Sequence, residues 1–160
     1  MEYSFRSIID QQLSKLPNDI VHIFYDSWLT GGAIANIILG RKDGDFDFIL
    51  TTRHLAEAKR YFVDIYDRQK PEINFDNISI SLAATVDFLK KPVGDFLHTT
   101  AYYDLLTDKL YLTDEELQCI LHKYLVASPD WERMYKRERI LKYLSLGWTT
   151  TDPKVIAGMV

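Results

Sequence analysis

Two aspartates separated by one residue are the most chemically specific feature of this 160-residue sequence. Asp45 and Asp47 belong to the alternating run Asp-Phe-Asp-Phe-Ile-Leu that ends at Leu50. Successive side chains of a β-strand point to opposite faces, so both carboxylates would share one face, with their Cα atoms about 7 Å apart. Hard oxygen ligands of this kind select Mg²⁺ or Mn²⁺ over softer metals. The pattern therefore predicts that Asp45 and Asp47 hold a divalent cation.

A glycine pair and a basic pair precede the aspartates in the sequence. Gly31 and Gly32 stand at the start of a helical segment, where a phosphate can approach backbone N–H groups and the helix dipole favours anions. Arg41 and Lys42 follow that segment and can add positive charge next to phosphate oxygens. Proteins usually hold Mg²⁺ through one or two carboxylates together with substrate phosphates. We therefore predict a site for a nucleoside triphosphate and metal, with these four residues binding the nucleotide.

Short regular elements must position these residues. The helical segment has apolar residues at helical spacing, and Gly40 is suited to end it in a left-handed conformation. The aspartates lie in a segment with the alternation of a half-buried strand. We predict strands over 27–30, 45–51 and 78–82, a helix over 32–39, and a polar connection over 71–77.

The remaining segments give a mixture of helices and strands. Periodicity and capping signals define most of them, including the Thr-Asp-Glu-Glu start of a helix at residue 113. In chain order we predict a helix over 3–16, a strand or short helix over 20–25, a helix over 53–62, a strand from 65, a helix or a strand plus helix entry over 95–103, a strand over 109–112, a helix over 113–126, a last helix over 129–146 and a loose tail from 149.

Composition limits the class of protein. Hydrophobic residues make up 47% and charged residues 26%, as in ordinary globular domains, and we predict one domain over 1–150, with C-terminal helices from about 113 and a tail over 151–160. The net charge of −4 restricts any RNA contact to a local patch. Cys119 is the only cysteine, which excludes an intrachain disulfide and a cysteine-based zinc site. No apolar segment is long enough to span a bilayer, so we expect a cytoplasmic protein without membrane partners.

Three blocks of the sequence resemble a known family. The glycine pair followed by Asp45-x-Asp47 is similar to the signature of the DNA polymerase β-like nucleotidyltransferase superfamily. The segment ILGRKDGDFDF resembles the head region of tRNA CCA-adding enzymes and poly(A) polymerases. DFLHTTAYYD, over 95–104, resembles the "RDFTINALAYD" segment of that branch, LTDKL over 106–110 its "LTGEL" turn, and RILKYLSLGW over 139–148 its helix ending in "LGF". Small phage and viral proteins of this type are also similar.

The resemblance implies a fold, an activity and partners. The implied fold is α+β, with a nucleotidyltransferase-like mixed β-sheet packed with helices and followed by C-terminal helices. The implied activity, a step in RNA processing, transfers a nucleoside monophosphate from an NTP to a hydroxyl and releases pyrophosphate. Asp45 and Asp47 would be the catalytic residues and would hold Mg²⁺ (or Mn²⁺). The acceptor would be an RNA or tRNA 3′ end, a small molecule or a protein side chain.

The sequence departs from the family at three places that concern charge: the third carboxylate, the Arg-Asp pair after the glycines, and the basic pair before Asp-Phe, which is Val93-Gly94 here. Active members carry a third carboxylate on a neighbouring strand, and the matching strand here is ISISL, which offers Ser79 and Ser81. An Arg-Asp pair that follows the glycines in CCA-adding enzymes is Ala35-Asn36 here. These differences leave a second hypothesis open: a catalytically inactive protein with this fold that acts as a binding or interaction module.

Weaker signals are interpreted as structural. Asp130 and Arg133 have the spacing of a base-reading motif of CCA-adding enzymes, but the first acid of that motif is Pro129 here, and an i,i+3 surface ion pair explains them better. The basic residues of the last helix are interpreted as a solvated face. Tyr102 and Tyr143 have the chemistry for base stacking but are assigned with most tyrosines to the core. His98 is interpreted as a structural histidine.

Overall fold

A computed structural model describes residues 5–41, 44–50, 72–82, 94–129, 131 and 137–159 of the chain. Four predictions lie outside these residues: the role of Lys42, the helix over 53–62, the strand from 65 and the pairing of Asp130 with Arg133. No helix in the described ranges is both long and apolar enough to cross a membrane.

Helices surround a single mixed sheet in the described part of the chain. The α-helices are α1 (Phe5–Leu13), α2 (Asn18–Phe24), α3 (Gly32–Ile38), α4 (Asp114–His122), α5 (Arg137–Ser145) and α6 (Pro153–Gly158), with a 3₁₀ helix at Leu97–Thr100. The strands are β1 (Ser27–Thr30), β2 (Phe46–Leu50), β3 (Glu72–Phe75), β4 (Ile78–Leu82), β5 (Tyr102–Asp104) and β6 (Lys109–Tyr111). This is the α+β class with a mixed sheet and C-terminal helices that the sequence predicts.

The six strands lie in the order β3-β4-β2-β1-β5-β6. Only β2 and β4 pair in parallel; the other neighbours are antiparallel. The register places Ser79, Asp47, Thr30, Tyr102 and Tyr111 directly opposite one another on successive strands from β4 to β6. Because directly opposed residues present their side chains on the same face, these five residues form one row across that face. We call this face of the sheet the polar face.

The opposite face of the sheet forms the first hydrophobic core. Leu29, Phe48 and Ile80 are fully buried there, and residues of α1, α2 and α3 pack against them. Phe24 of α2 meets Phe48 edge to face, with ring centroids 5.3 Å apart. Alternation along β2, from buried Phe46 through exposed Asp47 to buried Phe48, separates this sheet core from the polar face.

A second cluster packs on the other side of α3. Ala35 of α3 contributes to it, whereas Ala33, Ile34 and Ile37 of the same helix contribute to the sheet core. Its centre is aromatic: Phe96, Trp131, Tyr143 and Trp148, with His98 among them. We call these five residues the aromatic cluster. Helix α3 thus lies between two cores, and its first residues follow directly from β1.

Most elements near the aspartates agree with the sequence predictions. Strand β1 has the predicted bounds, α3 ends one residue before its predicted end, and β2 begins one residue after its predicted start. Of the segment 20–25, residues 20–24 belong to α2, so the segment is helical rather than a strand. Gly40 has a φ of 75°, the left-handed conformation expected of a glycine that ends a helix.

The prediction of a polar connection over 71–77 is wrong. Residues Glu72–Phe75 form β3, which pairs antiparallel with β4 and lies at one edge of the sheet. The hairpin is closed by Asp76, whose φ of 55° is left-handed, and by Asn77. The alternating Glu-Ile-Asn-Phe pattern was hidden by its polar members, which an edge strand tolerates.

The prediction of a loose tail is also wrong, because residues Pro153–Gly158 form α6. Asp152 caps this helix by accepting a hydrogen bond from the Lys154 N–H at 2.9 Å, and its other oxygen accepts one from the Ala127 N–H at 2.8 Å. Val155 is fully buried, and a Cβ on Gly158 would lie 2.8 Å from the Trp131 ring. Packing against the aromatic cluster therefore orders this segment.

Two further boundaries differ from the predictions. Over 95–103 the 3₁₀ helix comes first and strand β5 follows it, rather than a strand entering a helix. Helix α4 ends at His122, four residues before the predicted end at Val126, because Lys123 adopts a left-handed conformation with a φ of 55°. The last helix ends before Gly147, whose φ is 92°, near the predicted position.

Candidate functional site

Asp47 lies at the centre of the sheet, between β1 and β4. The Ser79 hydroxyl donates a hydrogen bond of 2.7 Å to Asp47 Oδ1, and the Thr30 hydroxyl donates one of 3.1 Å to the Asp47 backbone oxygen. The other carboxylate oxygen, Oδ2, is 3.9 Å from the place that a Cβ on Gly31 would occupy. One oxygen of Asp47 is thus held by the sheet, while the second lies beside the glycine bend.

Asp45 lies two residues before Asp47 and is exposed like it. Buried Phe46 between them donates its backbone N–H to the Asn77 carbonyl at 2.7 Å, which continues the β4 pairing towards Asp45. Gly44 is fixed by the Asn77 side chain, which donates to its carbonyl at 3.1 Å. Asp47 lies on the polar face, as the sequence predicts, whereas Asp45 directly precedes β2 and is exposed, and its place on that face stays a prediction.

The glycine bend joins β1 to α3 beside these acids. Gly31 has a φ of 71° and a ψ of −149°, a conformation that only glycine adopts without strain. Gly32 is the first residue of α3, and a Cβ on it would lie 3.5 Å from the Tyr143 hydroxyl oxygen. The structure therefore brings the bend together with Asp47 on one side and with the aromatic cluster on the other.

Arg41, which the sequence predicts to bind nucleotide, lies away from the glycine bend. Arg41 follows the opposite end of α3, about 10 Å along the helix from the bend. Its backbone N–H donates to the Asn36 carbonyl at 2.8 Å. Neither observation brings it to the phosphate side of α3, and its role stays a prediction, as does that of Lys42.

A divalent cation is compatible with the donor atoms at Asp45 and Asp47. Both are exposed acids, and Ser79 engages only one oxygen of Asp47. Within the described ranges no cluster of three or more acids, histidines or cysteines is suited to hold a metal ion. Two carboxylates fit Mg²⁺, which characteristically keeps several waters and takes further oxygens from substrate phosphates. On β4, the residue opposite Asp47 is Ser79, so a hydroxyl stands at this position and not a third carboxylate.

Sequence reasoning missed the polar pair His98–Tyr143. His98 is fully buried and stacks between Trp148 and Phe96, at centroid distances of 4.5 and 5.8 Å. Burial lowers the pKa of His98 to about 3, so the ring is neutral at physiological pH. Its Nε2 is 3.3 Å from the Tyr143 hydroxyl. Nothing in the sequence brings Tyr143, more than 100 residues after the glycines, to the bend.

Two basic residues of α5 have structural partners. Arg139 forms an ion pair with Asp95, which is only 2% exposed, and Arg137 donates to the Met159 carbonyl at 2.9 Å. Asp95 also anchors the chain through its carbonyl, which accepts the Ser128 N–H at 3.1 Å. These contacts attach α5 to the rest of the fold, so that neither residue belongs to a purely solvated face.

Solved structures similar to this chain include CCA-adding enzymes and a tRNA nucleotidyltransferase. A CCA-adding enzyme from Thermotoga maritima complexed with tRNA is 13% identical, with a TM-score of 0.56 over 94% of this chain and 44% of the enzyme. An apo CCA-adding enzyme is 14% identical, with a TM-score of 0.57 over 95% of this chain and 44% of the enzyme. A tRNA nucleotidyltransferase complexed with a primer tRNA and an incoming ATP analogue is 16% identical, with a TM-score of 0.51 over 83% of this chain and 45% of the enzyme.

At 13–16% sequence identity, these similarities show a shared fold and not a shared activity. The chain spans less than half the length of each of these enzymes. No protein-family model and no curated protein matches the sequence. The glycine bend at the start of α3 and the acid-bearing strand β2 nevertheless agree with the elements predicted around the first block of the resemblance. The chain therefore has a polymerase β-like nucleotidyltransferase fold, similar to that of the CCA-adding enzymes.

Proposed function

We propose that this protein is a metal-dependent nucleotidyltransferase that moves a nucleoside monophosphate from an NTP to a hydroxyl acceptor. The observation that carries the proposal is the 3.9 Å separation between Asp47 Oδ2 and the Cβ position of Gly31. A carboxylate that could bind metal thus lies next to a glycine bend without side chains, where a phosphate chain would have room to reach the backbone. A cytoplasmic location, where NTPs are supplied, is part of the proposal.

Each part of the site has a chemical role in this proposal. Asp45 and Asp47 would hold Mg²⁺ (or Mn²⁺), which would activate the acceptor hydroxyl and stabilise the leaving pyrophosphate. Gly31 and Gly32 would receive the phosphates at their backbone N–H groups. Ser79 keeps the Asp47 carboxylate in a fixed orientation through its 2.7 Å hydrogen bond. Such fixed polar groups lower the reorganisation required during reaction.

An RNA end is the acceptor that the polar face supports best. On this face Tyr102 stacks on Tyr111 at a centroid distance of 4.6 Å and an interplanar angle of 9°, and Trp28 packs against Tyr102 at 4.8 Å. Tyr111 is 37% exposed, and Lys109 lies over its ring. The register continues from Asp47 through Thr30 to these tyrosines, and adjacent strands are about 4.8 Å apart.

We call Trp28, Tyr102 and Tyr111 the aromatic row. Tyr102 lies two strands from Asp47, so the row begins about 10 Å from that residue. Aromatic rings beside a cation are the usual means of binding single-stranded nucleic acid, because every base has a face that can stack. The row also satisfies the requirement, set by the net charge of −4, that any RNA contact be local. Two of the similar solved enzymes were determined with tRNA. We therefore propose an RNA 3′ end as acceptor rather than a small molecule or a protein.

Ligand-dependent melting tests the nucleotide and metal site. A ligand that binds only the native state stabilises it, by about 2.7 kcal/mol at a concentration 100 times its Kd. For a chain of this size we expect a rise in Tm of about 5–10 °C with NTP and Mg²⁺ together. Asp47→Asn should abolish most of this rise.

Asp104→Asn is the matched control for Asp47→Asn. Asp104 lies on the same polar face, opposite Trp28, and its Oδ1 accepts the Leu106 N–H at 3.1 Å, which an asparagine oxygen can also accept. The control removes one charge from the face without touching the bend, so its ligand-induced rise should equal that of the parent. A parent that shows no rise with any of the four NTPs and metal would contradict the proposal. Binding without transfer would instead favour the non-catalytic binding module.

Replacing Tyr111 tests the RNA acceptor. Tyr111→Ala should lower affinity for a single-stranded RNA by about tenfold, because loss of one stacking ring costs about 1–3 kcal/mol. Its NTP-dependent melting should stay unchanged. The control is Tyr124→Ala, which removes a tyrosine that is 50% exposed and stacks on His122 outside the row. Equal RNA binding by the two variants would show that the row is not the acceptor surface.

A further inference from the structure

The hydroxyl of Tyr143 lies against the glycine bend, although α5 begins more than 100 residues after it. A Cβ on Gly32 would be 3.5 Å from this oxygen, and a glycine there leaves the approach open. Tyr143 is partly buried, and its ring packs against Phe96 and Trp148 at centroid distances of 5.1 and 5.2 Å. The ring is therefore fixed on two sides, and its hydroxyl is directed by the cluster rather than by solvent.

His98 determines what this hydroxyl can do. Within the described residues, His98 Nε2 at 3.3 Å is the hydrogen-bond partner of the Tyr143 hydroxyl, and the other ring nitrogen, Nδ1, is buried without a partner. A neutral imidazole carries one proton, on either Nε2 or Nδ1. A proton on Nδ1 would leave a buried N–H donor unpaired, which is rare in native proteins.

The favoured tautomer therefore has its proton on Nε2 and donates it to the Tyr143 oxygen. The O–H of Tyr143 is then left to donate to another group. Burial raises the pKa of the Tyr143 phenol, so it keeps this proton at neutral pH. A hydrogen-bond donor that has no acceptor among the described residues, fixed beside a bend that has no side chains, is suited to an anionic ligand.

We propose that the Tyr143 hydroxyl donates a hydrogen bond to a phosphate oxygen of the nucleotide held at Gly31 and Gly32, and that His98 is the positioning residue for this contact. The inference rests on the proposed function, because it requires phosphate at the bend. It adds a binding residue from the C-terminal part of the chain to a site otherwise built from the sheet and α3. The aromatic cluster thus takes part in ligand recognition as well as in stability.

The test compares binding of two probes, an NTP with Mg²⁺ and inorganic triphosphate with Mg²⁺. Tyr143→Phe keeps the ring and removes the hydroxyl, and should weaken both probes by about tenfold or more, the usual effect of losing a hydrogen bond to a charged group. His98→Phe keeps the stack between Phe96 and Trp148 and should weaken both by a smaller factor. Tyr124→Phe, which removes a hydroxyl from a tyrosine outside the cluster, should leave both affinities unchanged.

The readouts separate a ligand contact from a purely structural role. A structural role would lower the Tm of the ligand-free variants with no change in Kd for the folded protein. If the parent binds both probes and Tyr143→Phe binds them equally well, the inference is overturned while the proposed function stands. If Tyr143→Phe loses affinity for the NTP but binds triphosphate like the parent, the contact is not to phosphate and the inference is again wrong. If the parent binds neither probe, both the proposed function and the inference fail.

Discussion

The sheet core and the aromatic cluster lie on opposite sides of α3 and differ in chemistry. The sheet core consists mainly of aliphatic and phenyl side chains, such as Leu29 and Phe48, from strands that alternate regularly and from the helices packed on them. The aromatic cluster contains a fully buried histidine and a partly buried tyrosine hydroxyl. The sheet core therefore holds the acid-bearing strand in place, whereas the cluster carries one hydroxyl, that of Tyr143, beside the glycine bend. The proposed site would take its carboxylates from the polar face of the sheet and a hydrogen-bond donor from the aromatic cluster.

Truncation of one phenyl ring in each core should have the largest effect. Phe48→Ala and Phe96→Ala both remove a fully buried ring, and each should lower the free energy of unfolding by about 3–5 kcal/mol. Because α3 contributes side chains to both cores, we expect one cooperative transition in each variant, measured by urea denaturation with both fluorescence and far-UV circular dichroism. Two separate transitions in Phe96→Ala, with the second at the parent's midpoint, would show that the cores are independent.

Acid should lower the stability of the protein through the aromatic cluster, because that cluster contains the buried His98 and the described residues of the sheet core include no histidine. His98 has a folded pKa of about 3, lowered by burial, against about 6.5 in the unfolded chain. As the pH falls below 6.5 the unfolded state takes up the proton first, so stability is full above that pH and declines towards pH 3. The loss should reach about 2 kcal/mol at pH 5.

Denaturation of the parent and of His98→Phe at pH 7.5 and pH 5 measures this loss. The variant lacks the imidazole, so between pH 7.5 and pH 5 it should lose about 2 kcal/mol less stability than the parent. The other titrating groups are common to both proteins. His122→Asn is the control, because His122 is exposed on α4. A parent and His98→Phe variant with the same pH dependence would contradict the burial of a neutral histidine in the aromatic cluster.

The elements around the acids could be predicted from the sequence, whereas the aromatic cluster could not. The alternation around Asp47, the glycine at position 40 and the apolar spacing of α3 are local signals, and the structure agrees with them. The face shared by Asp45 and Asp47 follows from the two-residue period of a strand. The elements that form the bend and the acid strand could therefore be located without coordinates.

The cluster side of the site could not be located in this way. Helix α6 has only six residues, too few to show a period, and what orders it is the burial of Val155 and the packing of Gly158 on Trp131. Its Asp-Pro start is a local capping signal, but a cap alone does not show that a helix follows. The approach of Tyr143 to Gly32 depends on contacts between segments far apart in the chain. Such contacts leave no pattern in a single sequence.

Label transfer tests the central claim most directly, namely that the acid strand and the glycine bend form one catalytic site. An NTP labelled at its α-phosphate is incubated with Mg²⁺ and single-stranded RNA, and the rate of label incorporation is compared among the parent, Asp47→Asn and Asp104→Asn. We predict transfer by the parent and by Asp104→Asn, and a rate at least about 100-fold lower for Asp47→Asn, since metal-ion catalysis supplies several kcal/mol of transition-state stabilisation. Equal rates for Asp47→Asn and the parent would contradict the account.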